Sequence, residues 1–276
     1  MTWHAHLALN YRRDAERTLV HDRHHGPLRV LASLYPEGPA VCHNVLVHPP
    51  GGIVGGDVLA LEVSLAAQAH ALITTPGATR FYRSPGATAR QSLLARVATG
   101  ARLEWLPLQT ICHRDALAHN ALRFELDAGA EMIGWDVVAL GLPASGEAFD
   151  RGRYVQTIAL PGVWLEHGVV DGEDTRLLDS PLGWAGHRVM GTMWLAGGSR
   201  LAPARRDALL AAAREVAAGH PLRGTTGSTS PIEELVLLRV LAPRVEALMD
   251  LLTLTWARWR ELAWGLPVCA PRVWRT

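Results

Sequence analysis

A ten-residue segment, HPPGGIVGGD at residues 48–57, holds four glycines and two prolines and ends on an acid. Clustered glycines can bring backbone N–H groups around an anion, so the segment first suggests a phosphate loop. A Walker loop needs Lys and then Ser or Thr after its last glycine, and a dinucleotide loop needs G-x-G-x-x-G. Neither pattern is present, and Asp57 would repel a phosphate. The segment is therefore not interpreted as a nucleotide site.

Two uses remain open for this segment. Its glycines, which are Gly51, Gly52, Gly55 and Gly56, permit backbone angles and close approaches that other residues resist. Either the segment is a tight turn between strands that folding requires, or it holds Asp57 at a fixed point beside the next strand. The two uses are compatible.

Acidic residues lie inside strand-like apolar stretches at four places, Asp57, Glu104, Asp136 and Glu166. A buried carboxylate is costly unless it is paired, hydrated or metal-bound. Each acid could be paired with an arginine or face solvent from an alternating strand. Several of them together would suit an internal polar passage, because carboxylates with an occasional imidazole can hold a divalent cation.

Other sites with a recognisable local signature are not found. The chain contains no G-x-S-x-G elbow, no H-E-x-x-H pair and no EF-hand loop. Histidines near the start could bind a transition metal or form a solvated surface, and they are His4, His6, His21, His24 and His25. Without such a motif, the sequence gives no support to an enzyme.

Composition narrows the class of protein. The chain has 276 residues, about half of them apolar, and a net charge of +1 with no basic tract, so neither nucleic acid nor an anionic membrane is an expected partner. No apolar run approaches the roughly 20 residues that span a bilayer, and we expect a cytoplasmic protein. Cys42, Cys112 and Cys269 stand far apart, which indicates neither a disulfide framework nor a thiolate zinc site.

The segment from residue 41 to about residue 170 consists of short alternating or apolar stretches between turn residues, which predicts strands. Gly100, Gly129 and Gly162 each open a similar strand-like run, and Gln68 opens a glycine-free copy. A stride of about 30 residues is typical of stacked β-units. The sequence predicts a mainly β fold, a β-helix-like layered stack of strand pairs with a turn at each of these positions. Coincidence in a chain rich in alanine and glycine is the alternative.

The last third of the chain predicts a small helical part. A helix is expected from Pro203 to Gly219. The segment after Ser230 could begin a helix through a capping box or form a strand that ends near Leu241. The strand is preferred, because it leaves Pro243 in the first turn of a helix that runs to Trp264 instead of in a helix interior.

Several segments together resemble the urease accessory protein D family, called H in some bacteria. HPPGGIVGGD carries the most specific match, and the others are GPLRV, YPEG with Cys42-His43, TTPGATRFYRS at residues 74–84, LEWLP at 103–107, GEAFDRG at 146–152 and PRVWRT at the C-terminus. The resemblance covers nearly the whole chain. It implies one domain over residues 1–276, β-rich over 1–200 and helix-containing over 201–276.

The resemblance implies a maturation factor that is not an enzyme. Members of the family bind apo-urease, recruit the F protein and the GTPase G protein, and help to pass nickel to the urease active site, with no tightly bound cofactor and only transient Ni²⁺. Within matching segments, the implied route residues are Glu37, Asp57, Asp136 and, more weakly, Glu166. A nickel-storage protein or a metal-dependent hydrolase is the alternative.

Arg80, Tyr82 and Arg83 form a cationic and aromatic cluster in TTPGATRFYRS, a composition enriched at protein interfaces. They could contact urease or the F protein, or anchor the segment to the fold. Three tryptophans, Trp256, Trp259 and Trp264, suggest a surface that is covered only in a complex.

The chain also departs from the family pattern after LEWL. Pro107 is followed by Leu108 and Gln109, where members usually have Gln and Glu, so an acid is lost. Either the position is dispensable, or Cys112 and His113 supply softer ligands, or the local role is structural.

Overall fold

The computed structural model describes residues 2–275 and is built mainly from strands. In chain order the strands of the described residues are β1 (His4–Asp14), β2 (Arg17–His25), β3 (Arg29–Leu34), β4 (Val41–Val47), β5 (Val58–Leu65), β6 (His70–Thr74), β7 (Thr79–Phe81), β8 (Ala89–Val97), β9 (Arg102–Trp105), β10 (Thr110–Cys112), β11 (Leu117–Leu126), β12 (Glu131–Leu140), β13 (Arg153–Leu160), β14 (Trp164–Asp171), β15 (Val189–Gly197), β16 (Thr226–Ile232) and β17 (Leu235–Ala242). The α-helices are α1 (Thr175–Asp179), α2 (Pro203–Ala218) and α3 (Val245–Trp264), and short 3₁₀ turns cover Pro143–Ser145, Arg223–Thr225 and Arg272–Arg275.

The strands form two sheets that lie face to face. Sheet A has the order β14-β13-β11-β8-β5-β1-β2, and sheet B has the order β16-β17-β15-β12-β9-β6-β4-β3, with β10 and β7 attached beside β12. From β4 to β13 the chain passes back and forth between the sheets, although β7 and β10 follow β6 and β9 within sheet B. Neighbouring strands of these coils are parallel. This is the predicted β-helix-like stack, and the prediction of a mainly β fold is confirmed.

One corner of the stack is made by the repeated turns. Gln68, Gly100 and Gly129 all have a positive φ, 63°, 70° and 78°, and each precedes a strand of sheet B. The Gly100 N–H donates to the Gly129 carbonyl at 3.2 Å, so successive turns stack directly. Gly162 was expected to do the same, and this expectation is wrong. Its turn is a hairpin, because β14 returns antiparallel to β13 within sheet A.

Two hydrophobic layers hold the fold together. Inside the stack the two sheets pack face to face, as where Phe124 of sheet A meets Trp194 of sheet B at 5.6 Å between ring centroids. The outer face of sheet B packs against α2 and α3. Trp259 of α3 donates to the Leu209 carbonyl of α2 at 2.9 Å. Sheet B therefore separates an inner layer between the sheets from an outer layer under the helices.

The C-terminal elements agree with most of the predictions. Pro203 lies in the first turn of α2, and the segment after Ser230 is strand, since β16 and β17 form a hairpin at the edge of sheet B. α3 begins at Val245, so Pro243 lies just before the helix and not in its first turn. No helix among residues 2–275 is long and apolar enough to cross a membrane.

The expectation for the tryptophans of α3 is wrong. Trp256 and Trp259 are fully buried, and Trp264 is 8% exposed. They pack inside the chain between the helices and sheet B, and they do not form a surface for a partner. Their positions on the apolar stripe of the helix already fit a core role.

Candidate functional site

A cavity of about 400 Å³ lies inside the stack, between the two sheets. Residues 48–53 of HPPGGIVGGD and residues 75–80 of TTPGATRFYRS form one side of it. The opposite wall includes Gln91 and Asn120 of sheet A and Asp136 of sheet B. The two segments with the most unusual sequence therefore meet around one internal space.

A row of amides crosses the inner face of sheet A beside this cavity. Gln91, Asn120 and Gln156 are register partners on β8, β11 and β13. Gln91 donates to Asn120 at 3.3 Å, Asn120 donates to Asp136 Oδ1 at 3.2 Å, and Gln156 donates to Asp136 Oδ2. Inward-facing strand positions are normally apolar, so a row of three amides that ends on a carboxylate marks a polar track through the core.

Asp136 is a buried carboxylate whose surroundings suit a metal ligand. It lies on β12 and is 6% exposed. The pKa of Asp136 is raised from its ordinary value of 3.8 to about 6. Burial is the main cause and the nearby Glu166 contributes, while the hydrogen bonds from Gln156 and Asn120 oppose the rise. Among the described residues, no cationic side chain pairs with Asp136. Its carboxylate is thus free of the arginine partner that a structural acid usually has.

Two further polar side chains line the cavity. His48 Nε2 and Trp105 Nε1 are buried and have no hydrogen-bond partner among the described residues. Burial lowers the pKa of His48, although the charge of Asp57 opposes this, so the imidazole is neutral near pH 7 and can act as a ligand. Buried polar groups are normally satisfied, which indicates that the cavity accommodates polar guests such as water or a hydrated ion.

Asp57 does not line this cavity. Its side chain is 1% exposed and accepts hydrogen bonds from the backbone N–H groups of Trp3 at 2.7 Å and Val54 at 3.0 Å. The carboxylate thereby closes the glycine segment and attaches it to the start of the chain. The geometry favours the turn use of HPPGGIVGGD, and a route role for Asp57 stays a prediction.

We expect Asp57→Ala to lower the free energy of unfolding by about 1–3 kcal/mol, because two partly buried backbone N–H groups lose their charged acceptor. Urea denaturation of the purified chain measures this. Asp22→Ala is the matched control, since Asp22 is exposed on the edge strand β2, and it should change the value by less than about 0.5 kcal/mol. Equal stabilities of the two variants would show that Asp57 does not hold the segment.

The four glycines of this segment serve it in two ways. Gly51 and Gly56 have a positive φ, 77° and 92°. Gly52 and Gly55 are places of close approach: a Cβ at Gly52 would lie 2.0 Å from a ring carbon of Tyr82. Tyr82 therefore packs directly on the glycine backbone, and the two cavity-lining segments are locked together.

The predicted partner cluster is divided by the structure. Tyr82 also stacks on His113 with 4.8 Å between ring centroids, so it anchors its segment to the fold. Arg80 and Arg83 are exposed, and Arg80 lies beside the cavity. Contact of these arginines with urease or the F protein stays a prediction.

Glu166 lies near Asp136 at the end of the stack. It faces inward from β14, its side chain is 14% exposed, and it forms an ion pair with Arg239 of β17. Burial raises the pKa of Glu166, and Arg239 opposes the rise. Glu166 and Asp136 are the two predicted route acids that the structure brings into one electrostatic neighbourhood.

Glu37 lies on the other side of sheet B, in a buried ion network under α3. Arg260 of α3 donates to Glu37 at 2.5 Å and to both oxygens of Glu104 at 3.2 Å. His43 contacts Glu37 at 2.6 Å, and His70 contacts Glu104 at 2.8 Å. Glu104 and Arg260 are fully buried. This network, called the helix-side network below, joins the strand stack to α3.

In the helix-side network, the two carboxylates and the Arg260 guanidinium stabilise one another's charged forms. Burial would raise the pKa of Glu37 and of Glu104, but their hydrogen bonds and the charge of Arg260 hold both below the ordinary value. The carboxylates in turn raise the pKa of Arg260 against its burial. A guanidinium between two acids opposes a divalent cation there, so the geometry favours a structural role for Glu37, and its route role stays a prediction.

The departures from the family pattern lie beside the cavity. Leu108 and Gln109 form hydrogen bonds through their backbone groups. The Leu108 N–H donates to Thr75 Oγ1 at 2.9 Å, and the Gln109 carbonyl accepts from the Thr79 N–H. Burial, with a contribution from Asp136, raises the pKa of Cys112 well above its ordinary value, so the thiol stays protonated and is a poor metal ligand.

His113 lies next in sequence and is held in place by a carboxylate. Its Nδ1 contacts Glu147 at 2.9 Å. Its ring is stacked on Tyr82, so the side chain has a structural contact on one face. Over residues 2–275, no group of three or more His, Cys, Asp or Glu side chains is arranged to hold a metal ion.

The amide row was not predicted, although the sequence carries a signal for it. Gln91 is in phase with Ala89 and Leu93, and Asn120 is in phase with Ala118 and Leu122, all of which are buried. A polar residue at an inward position of an alternating strand is the observation that could have identified the row. The acids drew attention first because their charge makes burial more costly.

Comparison with known proteins identifies the family. The family model described as UreD urease accessory protein matches residues 4–275. The urease accessory protein UreD of Leptothrix cholodnii is 59% identical over the whole of both chains, and that of Variovorax paradoxus is 56% identical over the whole of both. The urease accessory protein UreD of Albidiferax ferrireducens is 55% identical over 99% of each chain. The chain described here belongs to the UreD urease accessory protein family.

Proposed function

We propose that this accessory protein binds apo-urease together with the F protein and the GTPase G protein in the cytoplasm, and that nickel passes through its interior on the way to the urease active site. No tightly bound cofactor takes part, and nickel is a cargo that is held only transiently. As a member of a family of accessory proteins, the chain is not an enzyme. The observation that carries the proposal is Asp136, a buried carboxylate that has no cationic partner within residues 2–275, at the wall of an internal cavity.

The donor set of the cavity suits a moving cation. A route must bind an ion well enough for it to enter and weakly enough for it to leave. The carboxylate of Asp136 is a single hard ligand, and the Asn120 and Gln91 amides beside it add dipoles and no charge. Asp136 therefore favours a cation without trapping it.

Residues on either side of Asp136 define the proposed path through the core. His48, a neutral imidazole, lies where the glycine segment lines the cavity. Asp136 follows at the inner wall, and Glu166 lies beyond it at the end of the stack. We propose the order His48, Asp136, Glu166, or its reverse, for the passage of nickel.

Reconstitution tests the proposed function. Apo-urease is incubated with the F protein, the G protein, GTP and limiting nickel, with and without this chain. We expect the chain to co-purify with apo-urease, and we expect nickel content and urease activity to rise only when it is present. Activation at the same rate without the chain would contradict the proposal. A nickel titration of the isolated chain should show only weak binding, whereas a stoichiometric site of sub-micromolar affinity would favour nickel storage.

A further inference from the structure

Beyond Asp136, the inner face of sheet B carries a positive charge that should repel a cation. Asp136, Thr192 and Arg239 are register partners across β12, β15 and β17, so they share the inner face of sheet B. Arg239 is the outermost of the three and pairs with Glu166 of the opposite sheet. A guanidinium thus lies at the solvent end of a row whose inner members are a carboxylate and a hydroxyl.

The ion pair spans the gap between the two sheets. Glu166 comes from β14, the last strand of sheet A, and its side chain is 14% exposed. The Arg239 side chain is 51% exposed, so its charge lies between Glu166 and solvent. Among residues 2–275 no strand joins sheets A and B at this end. The ion pair bridges the gap between them, beside the contact of Trp164 with Trp194.

Space around the pair allows the guanidinium to move. Gly168 is the register partner of Gln156, and Gly227 is the register partner of Arg239. A Cβ added at either glycine would meet no atom within 4 Å. Gly227 is exposed on the edge strand β16, and Gly168 lies on the edge strand β14. The positions beside the ion pair therefore carry no side chain and leave room for the guanidinium at this end of the stack.

The electrostatics connect this pair with the cavity. Glu166 contributes to the raised pKa of Asp136, so the two carboxylates interact through the core. The same Coulomb interaction makes a divalent cation at either acid feel the charge of Arg239, because the protein interior screens it less than water does. With the guanidinium in place, the outer acid is neutralised and a cation beside it is repelled.

We propose that Arg239 is a gate residue, which closes the outer end of the nickel route by pairing with Glu166 and opens it when the guanidinium swings away. This inference rests on the proposed function, since it assigns a control element to the same route. Opening exchanges the Glu166–Arg239 contact for a contact of Arg239 with solvent or with an acid of the bound partner. Glu166 is then free to accept the cation.

The experiment compares Arg239→Gln, which removes the charge, with Arg239→Lys, which keeps it. Each variant is assembled with apo-urease and the F protein, and the rate of nickel loading at limiting nickel is measured without the G protein and GTP. We expect Arg239→Gln to raise this rate roughly tenfold and Arg239→Lys to leave it near the wild-type value. Arg200→Gln is the control, because Arg200 is an exposed arginine that pairs with Glu233 away from the route. Thermal unfolding and co-purification verify that each variant is folded.

Asp136→Asn separates failure of the gate from failure of the route. If Asp136→Asn slows loading and Arg239→Gln raises it, both inferences stand, and the double variant should load as slowly as Asp136→Asn. If Asp136→Asn slows loading while Arg239→Gln does not raise it, the gate is overturned and the route stands. If Asp136→Asn leaves loading unchanged, the route fails, and the gate fails with it.

Discussion

Replacing Arg260 by methionine should lower the free energy of unfolding by about 3–5 kcal/mol, because two buried carboxylates lose their common partner. Arg260 is fully buried and binds both Glu37 and Glu104 in the helix-side network. Methionine fills much of the same volume, so the deficit reports on the charge and not on a cavity. Chemical denaturation of the purified chain measures it.

The sign of the pH dependence gives this prediction a second readout. Without Arg260, burial should raise the pKa of both carboxylates above the ordinary value of 4.5. They are then protonated as the pH falls through these raised values, so the deficit should begin to shrink above pH 4.5 and continue to shrink at lower pH. Arg258→Met is the matched control on the same helix, since Arg258 is exposed and pairs with Glu261. It should change the stability by less than about 1 kcal/mol. A deficit as small as that control would mean that the helix-side network does not hold α3 to the stack.

Asp136→Asn should have the opposite effect and stabilise the protein near neutral pH. The pKa of Asp136 rises from 3.8 to about 6 on folding, so folding opposes its ionisation. At about 1.4 kcal/mol for each pKa unit, the charged carboxylate costs about 3 kcal/mol at pH 7 and nothing below both pKa values. The stability of the variant relative to wild type should therefore increase by about 2.4 kcal/mol between pH 4 and pH 7.

Denaturation of both proteins across this pH range measures the difference. Glu62→Gln is the control, because Glu62 is an exposed acid on the outer face of sheet A, and its difference should stay nearly flat. A flat difference for Asp136→Asn as well would show that Asp136 is not a buried anion. A residue that destabilises the fold at working pH is expected where function requires it.

The architecture was predictable because its signals are local and periodic. Alternating stretches identified the strands, and the stride of the turns at Gly100 and Gly129 identified the stack. Gln68 was recognised as a copy without glycine, and it has the same positive φ. The turn at Gly162 was predicted wrongly, because the sequence of a glycine turn is the same whether the chain passes to the opposite sheet or returns in a hairpin. Only the strand pairing distinguishes the two.

The binding partners of the acids could not be predicted from the sequence. Asp57 and Asp136 lie beside apolar strand residues, and Glu37 lies in the segment YPEG. Asp57 binds backbone N–H groups, Asp136 binds amides and Glu37 binds an arginine. Their partners are distant in the chain: Arg260 lies 223 residues from Glu37. Arg260 itself follows Trp256 by one helical turn on the apolar stripe of α3, and this phase could have indicated a buried cation.

The central claim is that nickel crosses the core of this protein by way of Asp136. The most direct test is the rate at which apo-urease acquires nickel, at limiting nickel, in a complex that contains the Asp136→Asn chain. We expect loading to be at least about tenfold slower than with wild type, the equivalent of about 1.4 kcal/mol, while the variant is more stable and binds apo-urease as wild type does. Loading at the wild-type rate by a complex with the same composition would contradict the account.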